Sequence, residues 1–140
     1  MTANILIVED EGLVGLELSY LLEDLGHHVV GVAACSAEAL ELARTSLDVA
    51  LVDVNLADGP TGKRVGRELA ARGVSVIFTT ANPGLLDDVG AAVGVLPKPY
   101  THQSMAEVVA YALDRRQGGS RRSPARLNLF RQPEHARLSA

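Results

Sequence analysis

Apolar residues gather in five short runs, Asn4–Val8, His28–Val32, Val49–Val52, Val74–Phe78 and Val93–Leu96, recurring every twenty or so residues. Each run has strand length. Stretches such as ILIV and VALV do not alternate apolar with polar positions, which is the pattern of a parallel strand covered on both faces. The intervals carry helical periodicity instead. Leu13, Leu16, Tyr20, Leu21 and Leu25 are expected on one face of a helix that stops at Gly26. Ser36 is the expected N-cap of a second helix, and a third runs near Lys63–Arg72 and ends at Gly73. Asn82, with Pro83 behind it, is read as the cap of a fourth, and Thr101 caps a last helix reaching about Asp114.

Five βα units in succession predict right-handed crossovers and an α/β fold: a doubly wound, five-stranded parallel sheet. The most apolar runs, the first and third, belong at its centre, and the run that opens with His27-His28 suits an edge. In the order 2-1-3-4-5, the connections reverse direction between the first and third strands. A crevice opens there, at the carboxyl ends of the strands, and function is expected in it.

The chain has 140 residues, of which 47% are apolar and 21% charged. That is enough for one domain with a single core and disfavours global disorder. Cys35 is alone, so no internal disulfide framework exists. No run approaches the length of a membrane span and the N-terminus lacks a cleavage pattern, so no membrane association and a cytoplasmic location are expected. The net charge of −4 conceals an asymmetry. Residues 1–114 hold 6 basic and 16 acidic side chains, whereas residues 115–140 hold 7 arginines and one glutamate. We therefore divide the chain into a domain at 1–116 and a basic, Arg-rich extension at 117–140. The acidic body argues against direct nucleic-acid binding by the core. Attraction between body and extension is screened beyond about 8 Å at physiological salt, so docking of the extension needs an apolar anchor. Leu127, Leu129 and Phe130 are the candidates, expected to dock on the helical surface.

The strand ends carry the chemistry. Glu9-Asp10-Glu11 follows the first strand and Asp53 ends the third. Carboxylates from neighbouring strand ends repel one another and must raise a pKa or recruit a cation. Hard oxygen donors select Mg²⁺, which binds through one or two carboxylates, waters and a phosphate. Thr79-Thr80 ends the fourth strand, and Lys98 follows the fifth between Pro97 and Pro99. A hydroxyl and an ammonium beside a metal make a site for an anion. Neither G-x-G-x-x-G nor a P-loop is present, which disfavours those routes to nucleotides.

Glu9-Asp10 after ILIV, Asp53 in LVDVNLADG, Thr80-Ala81 after VIFT and Lys98 in LPKPY resemble the receiver domain of two-component response regulators, over residues 4 to about 114. The resemblance implies the flavodoxin-like receiver fold, with Asp53 as the phosphoacceptor for a phosphohistidine of a sensor histidine kinase or phosphotransfer protein. It implies Mg²⁺ held by Asp10 and Asp53, by Glu9 through water, and by the backbone carbonyl of Asn55. Lys98 and Thr80 would then contact the phosphoryl group. The expected role is signalling rather than enzymatic: phosphorylation switches binding to a downstream protein or to a second copy of the chain.

Two departures matter. Many receivers carry an aromatic residue three positions before the lysine, where this chain has Val95, and the end of the fourth strand matches a subgroup lacking that ring only at Phe78 and Thr80. The rival readings are a Mg²⁺-dependent phosphohydrolase with an Asp nucleophile and a degenerate receiver that only binds partners. The hydrolase would need a general acid where Asn55 stands, and Asn cannot transfer a proton in that role.

Overall fold

The computed structural model describes residues 2–86 and 89–130; the last ten residues of the basic extension lie outside the described residues. Five parallel strands, β1 (Asn4–Val8), β2 (His28–Ala33), β3 (Val49–Asp53), β4 (Ser75–Thr80) and β5 (Gly94–Pro97), form the sheet in the order 2-1-3-4-5. A sixth strand, β6 (Asn128–Leu129), joins the β5 edge antiparallel. The sheet is thus one strand wider than the repeating βα pattern predicts.

Helices α1 (Gly12–Asp24) and α4 (His102–Arg116) cover one face, and α2 (Ser36–Leu42) and α3 (Gly62–Ala71) the other. This explains why ILIV is apolar without alternation. Ile5 and Ile7 join Leu18, Leu22, Met105 and Val108 on the first face, while Leu6 and Val8 join Val65, Leu69 and Phe78 on the second. Every residue of β3 is buried, as a central strand requires.

Three local expectations are corrected. The face of α1 that meets the sheet is Gly15, Leu18 and Leu22, whereas Leu13, Leu16, Tyr20 and Leu25 are exposed. The buried stripe begins at a glycine because the helix approaches β2 closely there: a Cβ at Gly15 would crowd the side chain of Val32. Cys35, not Ser36, holds the N-cap position of α2; the Ser36 hydroxyl is drawn aside to Asp58. Asn82 caps no α-helix. Pro83–Leu85 makes a single 3₁₀ turn instead. Thr101 does cap α4, in a reciprocal capping box with Ser104.

The segment after α4 turns back at Asp114, whose carboxylate accepts from the backbone N–H of Arg121 at 2.9 Å. It docks on the sheet edge rather than on the helical surface. Leu127 is buried in the α1/α4 cluster, Phe130 packs edge-on to Phe78 at 6.1 Å, and Leu129 stays exposed.

Candidate functional site

Strands β1 and β3 end side by side, with Ile5 through Val8 paired to Val49 through Val52, so the residues just beyond them meet at the carboxyl edge of the sheet. Glu9, Asp10 and Asp53 each present a carboxylate oxygen, all within 4.8 Å of one another. Glu9 and Asp53 are buried and Asp10 is exposed, so the cluster opens to solvent on one side. Lys98 reaches in from the end of β5, its ammonium donating to Asp53 Oδ2 at 2.7 Å and to Glu9 Oε1 at 3.4 Å. The other oxygen of Asp53 accepts from the Asn55 N–H at 3.1 Å.

Three carboxylates against one ammonium leave negative charge unanswered. The imbalance falls on Glu9, whose Oε2 is buried without a hydrogen-bond partner. Burial, followed by the neighbouring Asp53, pushes the Glu9 carboxyl up to about 8, against the smaller opposing pull of Lys98. Burial also disfavours the charged form of Lys98, but the hydrogen bond and charge of Asp53, joined by Glu9, outweigh it and hold the ammonium above its ordinary value. These oxygens and their open side fit a hard divalent cation: an orphaned buried carboxylate oxygen beside two more donors is the arrangement such an ion satisfies.

Thr80 ends β4 and is buried; its hydroxyl oxygen accepts from the Asn82 N–H at 3.1 Å, while its carbonyl accepts from the Lys98 N–H at 2.8 Å. The backbone thus ties the ends of β4 and β5 together across the site. A groove of about 480 Å³ leads outward from Lys98 between α1 and the start of α4, lined by Val14, Glu17, Tyr100 and His102 among others. Burial, then the charge of Glu9, pushes the Tyr100 phenol up to about 12, so it stays a neutral wall of this groove.

Glu9, Asp10, Asp53 and Lys98 are therefore brought together, with the Asn55 backbone beside them and Thr80 at the rim. Glu11 lies outside the cluster, on the wall of the groove. His27 and His28 lie at the opposite end of the sheet, where the His27 Nδ1 accepts from the Ala3 N–H. The Cys35 thiol donates to Glu38 at 3.4 Å.

One arrangement was not legible in the sequence. Asp58 accepts from the hydroxyls of Ser36 and Thr61, which hold its carboxyl below the ordinary range, and it pins the loop after β3 to the start of α2. Nothing local marks Ser36 and Asp58 as partners, since 22 residues separate them.

Residues 5–110 match the response regulator receiver domain, and the chain belongs to that family. It is 37% identical over 127 residues to the phyllosphere-induced regulator PhyR of Methylorubrum extorquens, covering 87% of this chain and 48% of PhyR. Among solved structures it is similar to SdrG of Sphingomonas melonis Fr1, with 34% identity and a TM-score of 0.67, covering 80% of this chain and 97% of SdrG. It is also similar to the anti-anti-sigma factor PhyR of Bartonella quintana, with 26% identity and a TM-score of 0.72, covering 84% of this chain and 50% of the other. The chain spans about half the length of the curated relatives it matches. Among the described residues, no helix is long and apolar enough to cross a membrane.

Proposed function

We propose that this receiver accepts a phosphoryl group on Asp53 from a phosphohistidine of a sensor histidine kinase or phosphotransfer protein, and changes partners as a result. The observation that carries the reading is the buried, charge-deficient contact of Lys98 with Asp53 and Glu9 at the end of the central strands. A carboxylate oxygen of Asp53 attacks phosphorus in line, the P–N bond breaks, and its electron pair returns to the imidazole. Asp53 then holds the group as an acyl phosphate. The transferred oxygens need neutralisation rather than covalent help, and Lys98 supplies a fixed cation at 2.7 Å from the nucleophile's side chain.

Asp10 and Asp53 would hold Mg²⁺ directly, Glu9 through water, and the Asn55 carbonyl would supply a further oxygen. When bound, the ion shields the incoming phosphoryl charge from the carboxylates. The Thr80 hydroxyl, now engaged with Asn82, would turn to a phosphoryl oxygen. The groove between α1 and α4 gives a phosphodonor side chain a route to Lys98. The chain has a signalling role, and its own phosphorylation and dephosphorylation are the only reactions assigned to it. We place the domain at 1–116, with 117–140 as its extension, in the cytoplasm. Likeness to an anti-anti-sigma factor supports a protein of the anti-sigma class as the downstream partner.

Incubation with Mg²⁺ and acetyl phosphate, followed by intact mass and peptide mapping, tests this reading. One phosphoryl adduct on Asp53 is expected. Turnover of the donor with no adduct at any time point would overturn it.

A further inference from the structure

The residue that aligns with Phe78 on β5 is Val95, too small to act as the rotating ring that many receivers place there. An aromatic ring nevertheless stands at this spot. It is Phe130, delivered by the C-terminal segment, 6.1 Å from the Phe78 centroid and in the same cluster as Val95. Its backbone is fixed as well: the Phe130 N–H donates to the Val93 carbonyl at 3.1 Å, and Asn128 and Leu129 pair with Val95 and Gly94.

The edge of β5 is shaped for this strand. Any side chain at Gly94 would collide with the Asn128 carbonyl, so a glycine at that position is what admits β6. Leu127, buried on the α4 side, and Phe130, on the other, clamp the edge from both faces. Only two residues pair in the ladder, and Leu129 remains 45% exposed. Attachment of this kind is specific in geometry and short in extent, the kind of peripheral pairing whose local opening costs far less than opening of central strands.

The docking surface also touches the phosphoacceptor site through one segment. Beside Phe130 runs a groove of about 370 Å³ whose far wall is Pro83, Gly84 and Leu86. That wall begins at Asn82, whose N–H is held by the Thr80 hydroxyl. If the Thr80 side chain rotates about its Cα–Cβ bond to bring its hydroxyl to a phosphoryl oxygen on Asp53, the oxygen moves away from the Asn82 N–H, which loses its acceptor, and the wall loses its tether.

We propose that the β5 edge and this groove form a strand-binding surface whose occupant is the chain's own segment 127–130, with Phe130 in place of the missing β5 ring, and that phosphorylation of Asp53 loosens it. The proposal rests on Asp53 being the phosphoacceptor. Because coupling between two sites is reciprocal, loosening the segment must also favour the phosphorylated state.

Two measurements on the full chain test it. Amide hydrogen exchange read by NMR, with Mg²⁺ and beryllium fluoride as an acyl-phosphate mimic, should show the Phe130 N–H exchanging at least tenfold faster than in the free protein. Amides of β1 and β3 should not speed up. Phe130→Ala, which leaves the phosphoacceptor site intact, should bind beryllium fluoride about fivefold more tightly. If the mimic loads on Asp53 while Phe130 exchange and the affinity of Phe130→Ala are unchanged, this proposal fails and the phosphoacceptor reading stands. If neither the mimic nor acetyl phosphate loads on Asp53, both fail together.

Discussion

At the amino end of the sheet Asp48 is fully engaged: its carboxylate accepts from the Asn4 N–H at 2.8 Å and faces the Arg116 guanidinium at 3.8 Å. At the carboxyl end, three carboxylates cluster, only Glu9 and Asp53 pair with the ammonium of Lys98, and a buried oxygen of Glu9 has no partner. The residue types are alike and the strands are the same. What differs is whether the acid's charge is answered within the chain. Asp48 ties β1 to β3 and the end of α4, as a structural acid does, and asks for nothing from outside. The cluster of Glu9, Asp10 and Asp53 favours a proton on Glu9 or added positive charge, the kind of unmet demand that suits a binding site.

Breaking the reactive end should have the largest effect. Asp53→Asn keeps the shape and the Asn55 contact but removes the proposed nucleophile, so intact mass after acetyl phosphate treatment should show no adduct, while circular dichroism stays unchanged. In the absence of Mg²⁺ its melting temperature should equal or exceed that of the unmodified chain, because carboxylate repulsion is relieved.

The second effect concerns the cation. Binding to the folded state alone stabilises by mass action, about 2.7 kcal/mol at a hundredfold excess over Kd. Calorimetric melting should therefore rise with millimolar Mg²⁺ and show little response in Asp10→Ala. A melting temperature indifferent to Mg²⁺ in the unmodified chain would remove the metal site.

Glu9 sharpens the contrast through pH. Its carboxyl titrates near 4.5 when unfolded and near 8 when folded, so between those values the folded state holds the extra proton. Stability without metal is thus greatest on this account below about 4.5 and is lost as pH rises toward 8, with a slope of at most about 1.4 kcal/mol per pH unit. Urea titrations across this range should show the decline, and Glu9→Gln should flatten it.

The smallest effect belongs to the structural end. Asp48→Asn weakens one charge-assisted hydrogen bond and a half-exposed ion pair, and should cost about 1 kcal/mol in urea unfolding. Its phosphorylation by acetyl phosphate should match the unmodified chain. A loss of phosphorylation there would erase the distinction between the two ends.

The five parallel strands and their order are legible because both-face burial writes itself as unbroken apolar runs, a local signal that repeats with each βα unit. The position of the carboxylates follows at once, since a residue that ends such a run lies at the carboxyl edge whatever its neighbours do. Thr101 was equally readable, because a capping box spans only four residues. Tertiary structure alone decided the rest. Which stripe of α1 is buried depended on how closely Gly15 approaches Val32, and apolar residues outnumber the positions that the sheet can cover. The pairing of β6 joins Val95 to Asn128, a contact 33 residues distant in a two-residue ladder that carries no periodicity of its own. The upward shift of the Glu9 carboxyl belongs to no residue's sequence context. It arises because β1 and β3 bring two acids into one dry corner with one lysine between them, and the free energy of a charge there is set by its surroundings in space, not by its neighbours along the chain.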